Sequence, residues 1–183
     1  NLEATIAHFE EQEFYGLGQD NLKFFAQGVM PATDFEGNLL LARYDSLALS
    51  PNGHGGALKA LIDSGSVADM ARRGIEHVSY FQVDNPLVSV INPLLIGLHD
   101  LQRSDMSSRS LTKTGPFEKL GNFVSIGDRV TIIEYSDLPE EKALEKDADG
   151  RIKYRAGSPA IHVLRRDFIE QFASGAIKLP YHR

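Results

Sequence analysis

Residues 122–133 read Asn-Phe-Val-Ser-Ile-Gly-Asp-Arg-Val-Thr-Ile-Ile and give the clearest structural signal in the chain. Two runs rich in β-branched residues flank Gly127-Asp128, so the segment predicts a β-hairpin closed by a two-residue type II′ turn. A hairpin pairs antiparallel strands, so a sheet that contains this one is not purely parallel.

Helical and extended patterns alternate on both sides of this hairpin. Residues 78–83 predict a buried strand, 93–104 a helix and 106–113 an extended segment. Upstream, residues 22–30 predict a strand, and residues 57–74 predict a helix with a short break at residues 64–66. Further expected elements are helices over residues 2–13 and 167–172, and strands over residues 38–43 and 160–164. Strands that alternate with helices are typical of an α/β fold, here with a mixed sheet.

Composition narrows the function classes. The chain has 183 residues, 42% of them hydrophobic, and a net charge of −6. These values fit one globular domain and argue against nucleic-acid binding, which usually needs a basic stripe. No apolar run approaches the roughly 20 residues of a membrane span. Cysteine is absent, which excludes disulfides and favours a reducing compartment, so we expect the cytoplasm. The first residue is Asn1 rather than Met, so we expect a processed, excised or incompletely recorded chain.

A glycine-rich loop, Pro51-Asn52-Gly53-His54-Gly55-Gly56, precedes the predicted helix. Glycines let a ligand approach the backbone closely, and a helix N-terminus favours an anion such as phosphate. His54 can donate a hydrogen bond to a phosphate or ribose oxygen. The alternative is a plain tight turn with an exposed histidine. The spacing alone leaves both open, and it matches neither a P-loop nor a dinucleotide-binding fingerprint.

Two other positions carry candidate ligand groups. Asp84 follows the predicted strand, where a carboxylate can hold a divalent cation that bridges phosphates, or can cap the next turn. Glu134 and Tyr135 follow the hairpin, and both can face one ligand only if the strand ends or bulges there. Taken alone, these residues favour an exposed Glu beside a half-buried Tyr. His162 lies in an apolar run and is expected to be a core histidine.

Several segments, in this order along the chain, resemble motifs of the UDP-N-acetylhexosamine type of UDP-sugar pyrophosphorylase. They are Phe24-Phe25-Ala26-Gln27-Gly28-Val29-Met30-Pro31-Ala32, the loop 51–56, Asp69-Met70 with Arg73-Gly74-Ile75, Val83-Asp84-Asn85-Pro86-Leu87-Val88, Asn92-Pro93-Leu94-Leu95-Ile96-Gly97, Lys113-Thr114 with Pro116, Glu118 and Gly121, Glu134-Tyr135-Ser136-Asp137, and Ala156-Gly157-Ser158 with Ala160 and His162. The resemblance runs over roughly residues 12–182 without large gaps.

This resemblance implies a fold and an activity. The fold would be the Rossmann-like nucleotide-diphospho-sugar transferase fold, with a mixed central sheet, helices on both faces and a β-hairpin insertion. Residues 1–183 would form the central part of a nucleotidyltransferase catalytic domain. The reaction would join UTP and an N-acetylhexosamine 1-phosphate, with Mg²⁺, to give a UDP-sugar and pyrophosphate.

The resemblance also implies roles for individual residues. Gln27 and the Gly53 backbone would contact uracil, and Asp84 would lie at the phosphates and Mg²⁺ as the catalytic and metal-binding carboxylate. The remaining contacts, to nucleotide or sugar, would come from His54, Gly121, Glu134, Tyr135 and Ser158. All of these roles require Gly53 and Asp84 to lie side by side at one nucleotide.

Departures from the family pattern leave alternatives open. His54 stands where the hexosamine enzymes have Asn and the glucose-type relatives have His, so a glucose or broad-specificity pyrophosphorylase is the second possibility. Ser158 replaces a sugar-contacting Asn. The family's N-terminal loop, L-x-G-G-x-G-T-x-x-G, does not occur, so we expect no pyrophosphorylase activity from this chain alone. A non-catalytic sugar-nucleotide-binding module is the alternative from another class. A glycosyltransferase is disfavoured because Asp84-Asn85-Pro86 is not Asp-x-Asp.

Overall fold

The computed structural model describes residues 1–173, so the last part of the resemblance, residues 174–182, lies outside the described residues. The chain divides into two compact units. Unit 1 comprises Asn1–Glu76 together with the segment that begins at Arg166, and unit 2 comprises His77–Arg165. Every residue discussed below belongs to one of these two units.

Helices and short strands alternate along the described residues. The α-helices are α1 (Leu2–Glu11), α2 (Gly53–Asp63), α3 (Ser66–Arg72), α4 (Pro93–Leu101), α5 (Glu140–Ala143) and α6 (Arg166–Ala173). The strands are β1 (Val29–Pro31), β2 (Leu41–Arg43), β3 (Ser46–Leu47), β4 (Leu49–Pro51), β5 (His77–Tyr80), β6 (Met106–Ser108), β7 (Leu111–Thr112), β8 (Gly121–Ile126), β9 (Arg129–Ile133), β10 (Ala156–Ser158) and β11 (His162–Arg165). Short 3₁₀ turns cover Glu13–Gly16 and Gln19–Asn21.

Unit 1 is built on three packed helices. Helix α2 contacts α3 and α6, and Ala60, Val67 and Ile169 on these helices are buried. Strand β1 pairs antiparallel with β4, which leads directly into α2. The predicted break between α2 and α3 is confirmed, because Gly65 adopts a left-handed φ of 71° that glycine tolerates without strain.

Unit 2 contains the predicted hairpin and a second small sheet. Strands β8 and β9 pair from Asn122↔Ile133 to Ile126↔Arg129, which leaves Gly127-Asp128 as the turn. Gly127 has a φ of 59°, as the first central position of a type II′ turn requires. Helix α4 begins as its sequence predicts, with Pro93 in the first turn and the Asn92 side chain accepting a hydrogen bond from Leu95 N–H.

The mixed central sheet expected from the sequence is not found among the described strands. Strand β11 lies between β5 and β6 and runs antiparallel to both. Strands β5 and β6, joined through α4, are therefore parallel to each other but not hydrogen-bonded. The local strand–helix–strand order was predicted correctly. The sheet differs because a strand from much later in the sequence is inserted, and all pairings of described strands are antiparallel.

Several boundaries also differ from the prediction. The strand expected over residues 22–30 is reduced to β1, which begins at Val29, because β4, with which it pairs, is equally short. Strand β5 ends at Tyr80 rather than at residue 83. No helix in residues 1–173 combines the length and apolar character that crossing a bilayer requires.

Candidate functional site

The glycine-rich loop of unit 1 forms a sharp turn from β4 into α2. Helix α2 begins at Gly53, earlier than predicted, and Gly53 has a φ of 75°. Asn52 N–H donates to the Gly28 carbonyl at 3.1 Å, so the turn is fastened to the residue before β1. The first turn of α2 carries no acidic side chain, and its N–H groups have no helical acceptors. An anion would be stabilised there.

The Gln27 side chain lies directly against this turn. Its Nε2 donates to the Gly53 carbonyl at 2.5 Å and to Asn52 Oδ1 at 2.9 Å. The structure therefore brings together Gln27 and Gly53, the two residues predicted to contact uracil. His54, the next residue of α2, is exposed.

A cleft of about 380 Å³ opens beside these residues. It is lined by Phe25, Ala26, Gln27, Gly28, Asn52, Gly56, Lys59, Ala60, Asp63 and Ser64. The volume lies within the range of small-molecule sites, and the lining combines apolar groups with a few placed polar ones. All of its residues belong to unit 1.

Asp84 occupies an exposed turn of unit 2 and does not end a strand, which corrects the predicted placement. Asn85 N–H donates to the Gln82 carbonyl at 3.3 Å, and this turn follows the end of β5 at Tyr80. The backbone at Asp84 therefore has the turn conformation that was the alternative expected from the sequence. The predicted proximity of Gly53 and Asp84 stays a prediction, since the two residues belong to different units.

The single carboxylate of Asp84 can hold a metal ion only together with ligands from a substrate. Within residues 1–173, no group of three or more His, Cys, Asp or Glu side chains is placed to hold a metal ion. Mg²⁺ is commonly held by one or two carboxylates together with substrate phosphates. Asp84 fits an ion that arrives with a nucleotide and does not fit a cage made of protein ligands alone.

Three of the predicted sugar-site residues converge in unit 2. Gly121 on β8 pairs with Ser158 on β10. A Cβ built on Gly121 would lie 3.7 Å from Glu134 Oε1 and 3.7 Å from Ser158 Cβ. Strand β9 ends at Ile133, so Glu134 and Tyr135 escape strict side-to-side alternation. Tyr135 is 49% exposed.

A buried lysine, Lys113, lies beside the predicted sugar-site residues of unit 2. It was assigned no role from the sequence. Lys113 is 5% exposed, and its Nζ donates to Asn122 Oδ1 at 2.7 Å and to the Pro116 carbonyl at 3.1 Å. Asn122, next to Gly121, is fully buried and donates to the Ile133 carbonyl at 3.2 Å. Burial lowers the pKa of Lys113, while the nearby Glu118 carboxylate raises it. The Lys-Thr-x-Pro-x-Glu segment was the signal that could have pointed to this scaffold.

His162 is part of the β5–β11–β6 sheet of unit 2, as expected of a structural histidine. Its Nδ1 lies 2.8 Å from Ser108 Oγ, and its ring stacks on Tyr80 with centroids 5.9 Å apart. The side chain is half-buried. These contacts assign His162 to packing.

Comparison with known proteins identifies the family. The UTP–glucose-1-phosphate uridylyltransferase family matches residues 3–158. This chain belongs to that family. Among its relatives, a Schizosaccharomyces pombe protein named "Probable UDP-N-acetylglucosamine pyrophosphorylase" is 37% identical over 183 residues, which are 98% of this chain and 38% of that protein. The mouse UDP-N-acetylhexosamine pyrophosphorylase-like protein 1 is 36% identical over 169 residues, 92% of this chain and 33% of its own length.

A solved structure of a longer protein has a similar fold. A crystal structure of a protein from Entamoeba histolytica, assigned as a UDP-N-acetylglucosamine pyrophosphorylase, superposes with a TM-score of 0.85 and 32% identity. The match covers 100% of this chain and 45% of that one. The chain therefore spans less than half the length of each of these proteins.

Proposed function

We propose that this chain carries the uridine- and sugar-binding part of a UDP-N-acetylhexosamine pyrophosphorylase. The observation that supports this most directly is the hydrogen bond from Gln27 Nε2 to the Gly53 carbonyl beside a cleft of small-molecule size. The names of the relatives point in the same direction. The sugar subsite would be formed in unit 2 by Gly121, Glu134, Tyr135 and Ser158, with His54 as a further sugar or nucleotide contact.

The chemistry needs no protein nucleophile. An oxygen of the sugar 1-phosphate attacks the α-phosphorus of UTP, a new P–O bond forms, and the bond to the departing pyrophosphate breaks with its electron pair. Such reactions are accelerated mainly by positioning and by neutralising phosphate charge. Asp84 would hold Mg²⁺, which supplies that neutralisation when bound. The N-terminus of α2 would attract a phosphate through its N–H groups.

The proposal also includes a specific fold and a cellular location. We infer that the chain is part of a larger Rossmann-like nucleotide-diphospho-sugar transferase domain. The TM-score of 0.85 to a longer pyrophosphorylase chain supports this. The cysteine-free sequence supports a cytoplasmic location.

Calorimetric titration of the chain with UDP-N-acetylglucosamine tests the proposal. We expect binding, with no comparable binding of ADP-glucose. Gln27→Leu should weaken binding by about tenfold, because it removes the polar group beside the cleft. Gln19→Leu is the matched control, since Gln19 is exposed and should be neutral. Equal affinity for the two nucleotide sugars would contradict the assignment.

A glucose-type reaction is the second candidate, and His54 is the observation that favours it. The family description also refers to glucose 1-phosphate. Turnover of N-acetylglucosamine 1-phosphate and glucose 1-phosphate with UTP should be compared in the protein that contains this chain. His54→Asn should raise the ratio in favour of the N-acetyl substrate. A clear preference for glucose 1-phosphate in the unsubstituted protein would replace the hexosamine assignment.

A further inference from the structure

Asn52 occupies an unusual position between two glycines of unit 1. A Cβ built on Gly28 would lie 2.7 Å from Asn52 Nδ2. A Cβ built on Gly56 would overlap the Asn52 side-chain carbonyl and lie 2.6 Å from its Nδ2. Atoms cannot approach this closely without one of them moving. Glycine at both positions therefore makes room for the Asn52 amide.

Asn52 does not use its side chain as the usual helix cap. Asn before a helix commonly accepts a hydrogen bond from the first turn, but the Asn52 side chain makes no such bond with α2. Its Oδ1 accepts from Gln27 Nε2 at 2.9 Å instead. The residue is therefore placed to act on Gln27 rather than on the helix.

The chemistry of the acceptors settles which way both amides point. The Gly53 carbonyl can only accept, so the Gln27 atom 2.5 Å from it must be the N–H₂ group. The second N–H of that group then faces Asn52, which must present its oxygen. Both Gln27 donors are occupied in this way. No residue among 1–173 donates to Gln27 Oε1, and Gln27 lines the cleft, so this oxygen remains available as an acceptor for a ligand bound there.

A carbonyl oxygen that can only accept discriminates between the pyrimidines. Uracil carries an N3–H donor, whereas cytosine carries an N3 acceptor at the same place. An acceptor opposite N3 therefore stabilises uracil and leaves cytosine with two facing acceptors, which is costly in a desolvated site. If the Gln27 amide could rotate, its N–H₂ group would satisfy cytosine instead.

We propose that Asn52 is a positioning residue that, together with the Gly53 carbonyl, holds the Gln27 amide in one orientation and so strengthens the preference for uridine over cytidine nucleotides. The inference rests on the proposed function and deepens it, because it assigns the base selectivity of the cleft to a residue that need not touch the base. Asn52 acts in this way through Gln27, and the two glycines hold Asn52 in place.

The test compares UDP and CDP binding by calorimetry in the 183-residue chain and its variants. Asn52→Leu keeps the branched shape of the side chain but removes the acceptor. The UDP-to-CDP affinity ratio should therefore fall about five- to tenfold, which corresponds to the loss of one hydrogen bond. Asn52→Asp restores an acceptor and should retain the ratio, although its charge weakens both diphosphates together. Asn52→Ala, which introduces no bulk, should behave like Asn52→Leu and serves if that variant fails to fold.

The outcomes separate the two claims. An unchanged UDP-to-CDP ratio in a folded Asn52→Leu or Asn52→Ala chain, with unsubstituted protein that prefers UDP, would overturn the positioning role alone. A ratio lost in Asn52→Asp as well would also overturn it, because the acceptor would then not matter. Binding of neither nucleotide by the unsubstituted chain would overturn the proposed function and this inference with it.

Discussion

Glycines serve opposite purposes in the two candidate subsites. In the cleft of unit 1, Gly28 and Gly56 make room for the polar Asn52 side chain, which orients another polar side chain. In unit 2, Gly121 abuts the Ile132 methyl group, and the polar pair Lys113–Asn122 is buried next to it. The first arrangement controls which hydrogen-bonding group faces a ligand. The second keeps a surface rigid, so damage there should lower stability and sugar affinity without changing base preference.

The largest effect should come from Gly56→Ala in unit 1. The added Cβ would overlap the Asn52 side chain, which Gly28 confines on its other side. Overpacking of this kind costs about 3 kcal/mol of unfolding free energy, and UDP affinity should fall with it. Urea unfolding measures the first and calorimetry the second.

Gly97→Ala is the matched control for that substitution. Gly97 lies inside α4, and a Cβ there meets nothing within 4 Å. Because alanine favours the helix, this variant should gain about 0.5–1 kcal/mol. The two substitutions should therefore change the unfolding free energy in opposite directions. A Gly56→Ala chain as stable as the unsubstituted one would show that Asn52 is not confined.

The next effect should come from Lys113→Met in unit 2. The change leaves the Oδ1 atom of the fully buried Asn122 without its lysine donor, at a cost of about 2 kcal/mol. Exposed Lys119→Met should stay within about 0.5 kcal/mol of the unsubstituted chain. Chemical denaturation of the three chains provides the measurement. Equal losses from both lysines would mean that the buried pair does not stabilise the unit.

Local signals explain which parts could be predicted from the sequence. The Gly127-Asp128 turn, the start of α4 at Pro93 and the Gly65 break depend on neighbouring residues, and all three predictions were correct. The insertion of β11 between β5 and β6 depends on residues far apart in sequence, so periodicity could not reveal it.

The candidate site also contains features that short motifs predict and features that depend on contacts between distant residues. Gln27 and Gly53 were placed together through a resemblance, because their roles are tied to short motifs. The burial of Lys113 runs against the usual exposure of lysine and was missed. The orientation of the Asn52 amide follows from which atoms are acceptors in three dimensions, which no spacing encodes.

Gly121→Ala should have a smaller effect and would sharpen the contrast between the subsites. The new Cβ would lie 2.7 Å from Ile132 Cγ2, so the isoleucine must shift, at about 1 kcal/mol. Affinity for UDP-N-acetylglucosamine should fall while affinity for UDP stays unchanged. Gly115→Ala, where a Cβ meets nothing within 4 Å, is the control. Equal losses for both ligands would contradict a role confined to the sugar.

The smallest effect is a pH dependence confined to unit 2. Burial lowers the pKa of His99 from its usual 6.5, and the charges of His77 and Arg165 lower it further, while Asp100 and Asp105 oppose them. His99 is 1% exposed, with Nδ1 2.8 Å from Ser107 Oγ. Since the unfolded chain takes up this proton at a higher pH than the folded one, stability should decline as the pH falls below about 6.5. It should level off once the folded histidine is also protonated.

Unfolding free energies measured from pH 8 to pH 5 would test this dependence. His99→Gln should flatten the acid limb, because it removes a group whose pKa is lower in the folded chain than in the unfolded one. His8→Gln, at an exposed position of unit 1, should leave that limb unchanged. The two units can be compared directly if they unfold in separate steps. The unfolding of unit 2 should then depend on pH more strongly in the unsubstituted chain than in His99→Gln, and the unfolding of unit 1 should be the same in both. A limb that persists in His99→Gln would assign the acid sensitivity to another group and remove this distinction between the units.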